Sequence, residues 1–210
     1  MIDITERKLD EDRRMLLIHE LNHRVKNTLA VVQSLASQGL RSNNDPAAFK
    51  EVFVRRLTAL SHAHDLLTLS NWTGADFMDV VIKALSGFAG VDRYKAVGPS
   101  VRLPPRAVAP LSMALHELAT NASKYGSLSA EDGTVAVDWQ FEPASILKIN
   151  WIERGGPPVA TPRRRGFGSR LIEQGLRYEL DGEIDLDFSP SGLRCRMVIP
   201  LTETKYGFSP

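Results

Sequence analysis

The stretch LHELATNASKY, residues 115–125, lies near the end of a segment whose composition predicts a helix over residues 104–125. Glu117 and Asn121 are four residues apart, so a helix places both side chains on one face, where they can point into one cleft. Pro110 leaves open whether the helix starts near it or is kinked at it. The stretch therefore predicts a helix that presents polar groups towards its C-terminal end.

Helix and strand patterns alternate on both sides of this stretch. Two further helices are predicted, over residues 75–87 and 167–179. Strands are predicted from their alternation of apolar and polar residues at 93–102, 135–141, 146–153, 183–188 and 193–201. Helices interleaved with a mixed sheet predict a two-layer α/β sandwich.

The N-terminal third of the chain has a different, purely helical periodicity. One long helix is predicted over residues 10–40, and its apolar seam consists of Ile18, Leu21, Val25, Thr28, Val32 and Leu35. A second helix is predicted to begin at Pro46, after a break, and to run to about Leu69. Its apolar stripe consists of Phe53, Leu57, Leu60 and Leu67. Two such helices predict an antiparallel hairpin, which makes the fold class α+β.

A bare hairpin of two helices buries little apolar surface. A second copy that completes a four-helix bundle would cover the stripe, so a homodimer is expected. The alternative is that the C-terminal α/β domain of the same chain tilts over the stripe. The pattern itself does not choose between the two.

Residues 19–23, HELNH, match the H-E-x-x-H pattern of zinc metalloproteases, in which a helix places two imidazoles and a general-base carboxylate on one face. A third ligand would have to come from elsewhere, and the remaining histidines are His62, His64 and His116. A metalloprotease would also leave the whole C-terminal half unexplained. The zinc interpretation is therefore the weaker one.

His23 has a second interpretation, as a residue that is presented to another molecule. On the predicted helix it lies about 165° from the centre of the apolar seam, which points it to solvent. Arg24, Lys26 and Asn27 surround it with positive charge and hydrogen-bond donors, a setting that suits an incoming triphosphate. A histidine with an ordinary pKa is largely neutral near pH 7, so one ring nitrogen is free to attack. An ordinary exposed histidine is the alternative.

Composition excludes several classes of protein. The chain has 210 residues, a formal net charge of +1 and 43% apolar residues, so no excess of charge argues for nucleic acid or a membrane surface. Its single cysteine, Cys195, excludes an internal disulfide and fits a reducing compartment. No apolar run approaches the ~18 residues that span a bilayer. A cytoplasmic location without a membrane or nucleic-acid partner is expected.

Residues 115–125 resemble the N box of the GHKL ATP-binding fold as it occurs in the HWE group of sensor histidine kinases. The group is named for a histidine in this box and a Trp-x-Glu in the next, which here are His116, Trp151 and Glu153. The His-Arg-x-Lys-Asn run that begins at His23 resembles the phosphoacceptor box of the same group. The resemblance covers roughly residues 12–201, with the boxes in the expected order.

The resemblance implies a division of the chain into functional parts. Residues 12–70 would be the dimerisation and phosphoacceptor hairpin, and residues 71–203 the catalytic ATP-binding domain, followed by a tail at 204–210. Residues 3–8, DITERK, resemble the end of a PAS or LOV sensor domain. Residues 1–11 would then be the linker from a sensor that this chain lacks.

The resemblance also implies a set of residues that bind Mg-ATP. An amide oxygen at Asn121 suits Mg²⁺, and Lys124 would reach the phosphates as a point charge. In the family, the acidic residue of the next box accepts a hydrogen bond from the adenine amino group, and here that residue is Glu153. The common pattern of this box is Asp-x-Gly-x-Gly, whereas this chain has Glu-Arg-Gly-Gly-Pro. The predicted nucleotide-binding residues are Asn121, Lys124, Glu153, Gly155, Gly156, Arg165, Gly166 and Gly168.

The implied activity is autophosphorylation of His23 by ATP and transfer of the phosphoryl group to an aspartate of a response-regulator receiver. Many histidine kinases have an acidic residue directly after the acceptor histidine, whereas this chain has Arg24. Glu20, one turn earlier, is the candidate base or orienting group, although it could pair with Arg24 instead. Glu117 could orient the reacting group or anchor its box. The alternative function is a degenerate kinase that serves as a nucleotide-binding or docking scaffold.

Overall fold

A computed structural model of the chain describes residues 25–26, 28–37, 46–159 and 175–202. The chain divides into two compact units, Met1–Leu57 and Thr58–Pro210. The predicted domain boundaries, at residues 11, 70 and 203, stay predictions. No helix in the described part of the chain combines the length and the apolar character that crossing a bilayer requires.

Residues 28–37 form helix α1, within the longer helix that the sequence predicts. Leu35 is buried and Val32 is half-buried, as expected for the apolar seam, whereas Val25 is 48% exposed. Leu29, which is not part of the predicted seam, is 55% exposed. Of the remaining seam residues, Thr28 is half-buried, and Ile18 and Leu21 lie outside the described residues.

Helix α2, Pro46–Leu69, begins at the predicted residue. Proline suits this position because the first turn of a helix has no intrahelical partner for its N–H groups. The predicted stripe is buried most completely in the C-terminal half of α2, at Leu60 and Leu67. Ala63 and Leu67 belong to the same hydrophobic core as the sheet that follows. The C-terminal half of α2 is therefore part of the second compact unit.

The second unit is built on a mixed five-stranded sheet with the order β2-β4-β5-β7-β6. Its strands are β2 (Tyr94–Val97), β4 (Thr134–Glu142), β5 (Ile146–Arg154), β6 (Glu183–Ser189) and β7 (Gly192–Pro200). Strand β2 pairs with β4 in parallel, and the other neighbours pair antiparallel. The mixed sheet is the one that the sequence predicts.

The strand predicted over residues 93–102 is in fact two strands. After β2 the chain leaves the sheet, and β3 (Arg102–Leu103) pairs instead with β1 (Ala75–Asp76). Gly98 lies against the ring of Trp139, where an added Cβ would be 2.4 Å from the ring atoms. This contact, and the hydrogen bond from Trp139 Nε1 to the carbonyl oxygen of Pro99 at 2.8 Å, hold the connection out of the ladder.

Helices pack on one face of the sheet. They are α3 (Phe77–Leu85), α4 (Pro105–Lys124), a 3₁₀ turn at Ser127–Ser129 and helical residues 175–180, which we call α5. The side chain of Asp76 caps α3 by accepting from the N–H of Met78 at 2.8 Å. Helix α4 begins at Pro105 with Pro110 inside it, so the helix does not start at Pro110. Residues 110–120 of α4 are buried without interruption, as expected for a central helix.

The core lies between this helical layer and the inner face of the sheet. Alternate residues of each strand point inward, and on β5 these are Leu147, Ile149, Trp151 and Glu153. Full burial of one such apolar side chain is worth about 1.5–3 kcal/mol. The fold is thus the two-layer α/β sandwich that was predicted, and its inward series on β5 ends in a carboxylate.

Candidate functional site

Glu153 is a buried acid at the end of a buried strand. Its side chain is 3% exposed, because the alternation of β5 points it to the same side as Trp151. A carboxylate without partners at such a position would cost several kcal/mol. Its hydrogen-bond partners therefore decide what it can do.

Both carboxylate oxygens of Glu153 accept a hydrogen bond from the protein. The backbone N–H of Ser127 donates to Oε2 at 2.8 Å, and the indole Nε1–H of Trp151 donates to Oε1 at 3.1 Å. An ionised carboxylate has about four lone-pair positions, so each oxygen keeps acceptor capacity. The arrangement is a fixed acceptor that can receive a further N–H donor.

The environment of Glu153 shifts its proton equilibrium. Burial raises the pKa of the carboxyl above its usual value, and the hydrogen bonds from Ser127 and Trp151 lower it in part. These donors favour the ionised form, in which the group is a pure acceptor. Loss of either donor would therefore raise the pKa of Glu153 further.

Glycines make room for this site within the protein itself. A Cβ on Gly126 would lie 2.0 Å from Oε2 of Glu153, and a Cβ on Gly156 would lie 2.5 Å from Cα of Ser127. Gly155 has φ +73°, a left-handed conformation that glycine adopts without strain. The predicted glycine pair thus lets the chain after β5 pass close to the 3₁₀ turn. Whether Gly155 and Gly156 also contact a nucleotide stays a prediction.

Arg93 anchors the loop beside the site, a role that sequence reasoning missed. Its guanidinium donates to the carbonyl oxygen of Gly133 through Nε at 3.1 Å and Nη2 at 2.9 Å, and to that of Ala130. The loop follows the 3₁₀ turn that holds Glu153. Arg93 gave no sequence signal because its partners lie 37 and 40 residues away. Ser127 and Gly126 were equally missed, although they directly follow the predicted box.

The C-terminal turn of α4 carries two predicted ligand-binding residues. Asn121 is half-buried and Lys124 is exposed, whereas Glu117, one turn earlier, is 4% exposed. Helix α4 ends at Lys124, and three residues later Ser127 donates to Glu153. A hydrogen bond across 26 residues of sequence therefore links the turn just after the first predicted box to the glutamate of the second.

Asn121 fits the requirements of a magnesium ligand. Mg²⁺ takes oxygen ligands and usually keeps several waters, so one or two protein oxygens together with phosphates are enough. The half-buried side chain of Asn121 offers one amide oxygen in the last turn of a helix whose residues 110–120 are buried. Glu117 lies deeper, which favours its anchoring role over direct contact with a ligand.

His116 lies in a different environment, among rings. Its imidazole is 7% exposed and makes edge-to-face contacts with Phe88 at 5.1 Å and His62 at 6.4 Å between ring centroids. Burial and the charge of Lys83 lower the pKa of His62, while Asp65 opposes them. The second zinc candidate on α2, His64, is exposed and packs edge-on against Trp72 at 4.9 Å.

Several predicted site residues lie outside the described residues. They are Glu20, His23, Arg165, Gly166 and Gly168. Their predicted roles stay predictions. Among the described residues no three or more histidine, cysteine, aspartate or glutamate side chains group as a metal site, but His19 and His23 are not among them.

A mixed sheet covered on one face by helices, with a buried acid at the end of a strand beside the turn that follows the central helix, is the fold seen in GHKL-type histidine kinase catalytic domains. The fold is shared with two solved structures from Erythrobacter litoralis. The histidine kinase domain of its blue-light activated histidine kinase matches with a TM-score of 0.58 at 16% identity, over 84% of this chain and 94% of that chain. A longer structure of the same protein matches with a TM-score of 0.65 at 20% identity, over 90% of this chain and 60% of that one.

Sequence comparisons show which proteins the chain is similar to. Residues 20–100 match the model of the HWE histidine kinases. A blue-light-activated histidine kinase of Brucella anthropi is 42% identical over 207 residues, 96% of this chain. A protein of the same description from Brucella ovis is 40% identical over 205 residues, 95% of this chain. The chain spans 42% of the length of these relatives. The chain is therefore similar to the HWE histidine kinases over residues 20–100, and to blue-light-activated histidine kinases over nearly its whole length.

Proposed function

We propose that this chain is the core of an ATP-dependent protein-histidine kinase that phosphorylates its own His23. The observation that supports the proposal best is the Ser127–Glu153 hydrogen bond, which joins the end of the Asn121 helix to the Trp-x-Glu strand. Glu153, the proposed acceptor for the nucleotide base, and Asn121, the proposed Mg²⁺ ligand, would then lie at the same end of the sandwich. A nucleoside triphosphate needs these two kinds of group at its opposite ends.

Each described residue of the site has a role in this proposal. Glu153 accepts a hydrogen bond from the adenine amino group, and Lys124 contacts the phosphates. Asn121 would hold Mg²⁺, which neutralises phosphate charge when bound. Gly155 and Gly156 would let the backbone approach the nucleotide closely. Arg165, Gly166 and Gly168 would contribute cationic charge and backbone N–H groups to the phosphates.

The reaction transfers one phosphoryl group. The bond between the γ-phosphorus and the bridging oxygen of ADP breaks, and a bond forms from that phosphorus to a ring nitrogen of His23. ADP leaves with the electron pair, and the other ring nitrogen gives up its proton, for which Glu20 is the proposed acceptor. Such a step depends on positioning of the reactants and neutralisation of the phosphate charge. Predicted phosphate contacts from cations, backbone N–H groups and one amide are consistent with this requirement.

The proposal extends to partners and context. The phosphoryl group would pass from His23 to an aspartate of a response-regulator receiver. Val25, Leu29 and Val54, each about half exposed on the described helices, are consistent with a homodimer through the hairpin. An upstream PAS or LOV sensor and a cytoplasmic location complete the proposal.

Labelling with γ-³²P-ATP tests the proposal directly. We expect the parent chain to acquire label that is stable to alkali and labile to acid, and His23→Ala to lose it while binding Mg-ATP with unchanged affinity. His19→Ala is the matched control, because it removes a histidine one turn away and should retain the label. Label that persists in His23→Ala would contradict the acceptor assignment. If the parent chain binds ATP but is never labelled, the kinase function is contradicted and the alternative function, a nucleotide-binding scaffold, is supported.

A further inference from the structure

Trp151 combines complete burial with a polar contact. Its side chain is 0% exposed, in the middle of the sheet, where it pairs with Val137 on β4 and Cys195 on β7. Its indole nitrogen nevertheless donates to Oε1 of Glu153, two residues along the same face of the strand. A phenylalanine could supply most of this apolar burial, but only the indole supplies the donor.

The two donors to Glu153 act on different oxygens. Ser127 N–H binds Oε2 from the 3₁₀ turn, and Trp151 Nε1–H binds Oε1 from the strand. Together they fix the rotation of the carboxylate plane, which a single donor would leave free. A Cβ on Gly126 would come within 2.0 Å of Oε2, so the carboxylate lies against that segment in a close-fitting position. The acceptor is therefore preorganised by the protein.

We propose that Trp151 is a positioning residue for recognition of the nucleotide base, since it holds Glu153 in the orientation that accepts the 6-amino group of adenine. This inference rests on the proposed function. A fixed carboxylate binds a base edge that donates a hydrogen bond more tightly than one that presents a carbonyl oxygen. With a carbonyl oxygen, two acceptors would face each other without a hydrogen between them. The Trp-x-Glu pair is thus one specificity unit in which the tryptophan acts through the glutamate.

The molecule offers a matched control for this tryptophan. Trp139 on the neighbouring strand β4 is also buried, at 3% exposed, and its Nε1–H also donates one hydrogen bond, to the carbonyl oxygen of Pro99 at 2.8 Å. Trp139→Phe therefore removes the same atoms and the same kind of donor from the same sheet. It leaves Glu153 and its partners untouched.

The test compares two nucleotides in the full chain. Binding of ATP and of purine riboside triphosphate, which lacks the 6-amino group, is measured with Mg²⁺ for the parent, Trp151→Phe, Trp139→Phe, Glu153→Gln and Trp151→Phe/Glu153→Gln. We expect Trp151→Phe to weaken ATP about 10-fold and purine riboside triphosphate less than about 2-fold. In the Glu153→Gln background the tryptophan change should have less than about a 2-fold effect, since the two residues act as a unit.

Each outcome supports or overturns the inference. An ATP preference that Trp151→Phe leaves intact, or that Trp139→Phe lowers equally, assigns Trp151 to packing alone. A parent that binds both nucleotides equally removes Glu153 as the base acceptor, and the inference with it, while the kinase function stands. A parent that binds neither nucleotide overturns the proposed function and the inference together.

A second measurement does not depend on the folding of Trp151→Phe. The chain has three tryptophans, so ¹H–¹⁵N spectra of the parent contain three indole resonances, assigned through Trp72→Phe and Trp139→Phe. We expect ATP to shift the Trp151 resonance and purine riboside triphosphate to shift it less. The Trp139 resonance should stay in place with both. A Trp151 resonance that responds equally to the two nucleotides would overturn the inference.

Discussion

Two neighbouring turns of α4 carry family residues in contrasting environments. His116 and Glu117 are buried, and the imidazole of His116 packs against Phe88, whereas Asn121 is half-buried and Lys124 is exposed. The side chains of the first turn are therefore packed in the protein interior, whereas those of the next turn are partly accessible to solvent. The contrast leads us to expect separate tasks for the residues of one sequence box, with His116 in helix packing and Asn121 in the proposed binding of ligand.

The largest expected effect tests the ligand-binding turn. Asn121→Asp should lower autophosphorylation about 100-fold, because it places a negative charge beside the triphosphate and changes a metal-directed amide. The free energy of unfolding should change by less than about 0.5 kcal/mol, because aspartate has nearly the volume of asparagine and the position is only half-buried. Phosphorylation rates at several Mg²⁺ concentrations, together with urea unfolding, measure both effects.

Asn71→Asp is the matched control for Asn121→Asp, since it makes the same chemical change at an exposed turn after α2. It should retain the parental phosphorylation rate. If Asn121→Asp phosphorylates His23 as fast as the parent does, Asn121 is not part of the nucleotide site and the contrast between the two turns is lost.

The packing turn should respond in the opposite way. His116→Ala removes a ring from a buried aromatic cluster, so we expect it to lower the free energy of unfolding by about 2–3 kcal/mol. Affinity of the folded fraction for Mg-ATP should change less than about 2-fold. His64→Ala, which removes an exposed ring that also has one edge-to-face contact, should cost clearly less. If the two substitutions lower the free energy of unfolding equally, the burial of His116 does not make it more important for stability than the exposed His64.

A smaller effect concerns the pH dependence of stability, for which the shifted pKa values of Glu153 and His62 predict slopes of opposite sign. Burial raises the pKa of Glu153, so the folded state holds a proton that the unfolded state has lost, and stability falls as pH rises from the usual glutamate pKa through the raised one. The pKa of His62 is lowered from 6.5, so the unfolded state binds more protons, and stability rises with pH from the lowered value to 6.5.

Urea unfolding from pH 4 to 8 separates these two slopes. Subtracting the curve of Glu153→Gln from that of the parent should leave a falling component, and subtracting that of His62→Gln a rising one. Because burial also raises the pKa of Glu179, the slope of the parent alone does not report on Glu153. A difference curve of the reversed sign at either residue would contradict its assigned shift.

The smallest expected effect is at Cys195. Burial, together with the charge of Asp185, raises the pKa of this thiol to about 12, so thiolate is scarce at pH 8. Iodoacetamide should leave the folded chain unmodified over hours and react promptly in 6 M urea, as followed by mass spectrometry. Rapid modification of the folded chain would show that the core beside Trp151 opens readily.

Local patterns were sufficient for most of the elements of the second unit. The strand predicted over residues 135–141 is Thr134–Glu142, and the helix predicted over 104–125 is Pro105–Lys124. Alternation and helical periodicity are properties of neighbouring residues, so they are readable without knowing the fold. The prediction over 93–102 was wrong in extent because Gly98 and Pro99 break the strand through contacts with Trp139, which lies about 40 residues away.

The sequence by itself determined the fold class, and it predicted the resemblance to HWE histidine kinases and the side chains of the candidate site, since box residues and their order are local information. Only the tertiary structure decided what those side chains contact. It buried His116 among aromatic rings and brought Ser127 and Trp151 within hydrogen-bond distance of Glu153. It also brought the guanidinium of Arg93 to the carbonyl oxygen of Gly133, in the loop after the 3₁₀ turn. Most of these contacts link residues that are tens of positions apart, and strand order and helix packing, rather than periodicity, bring such residues together.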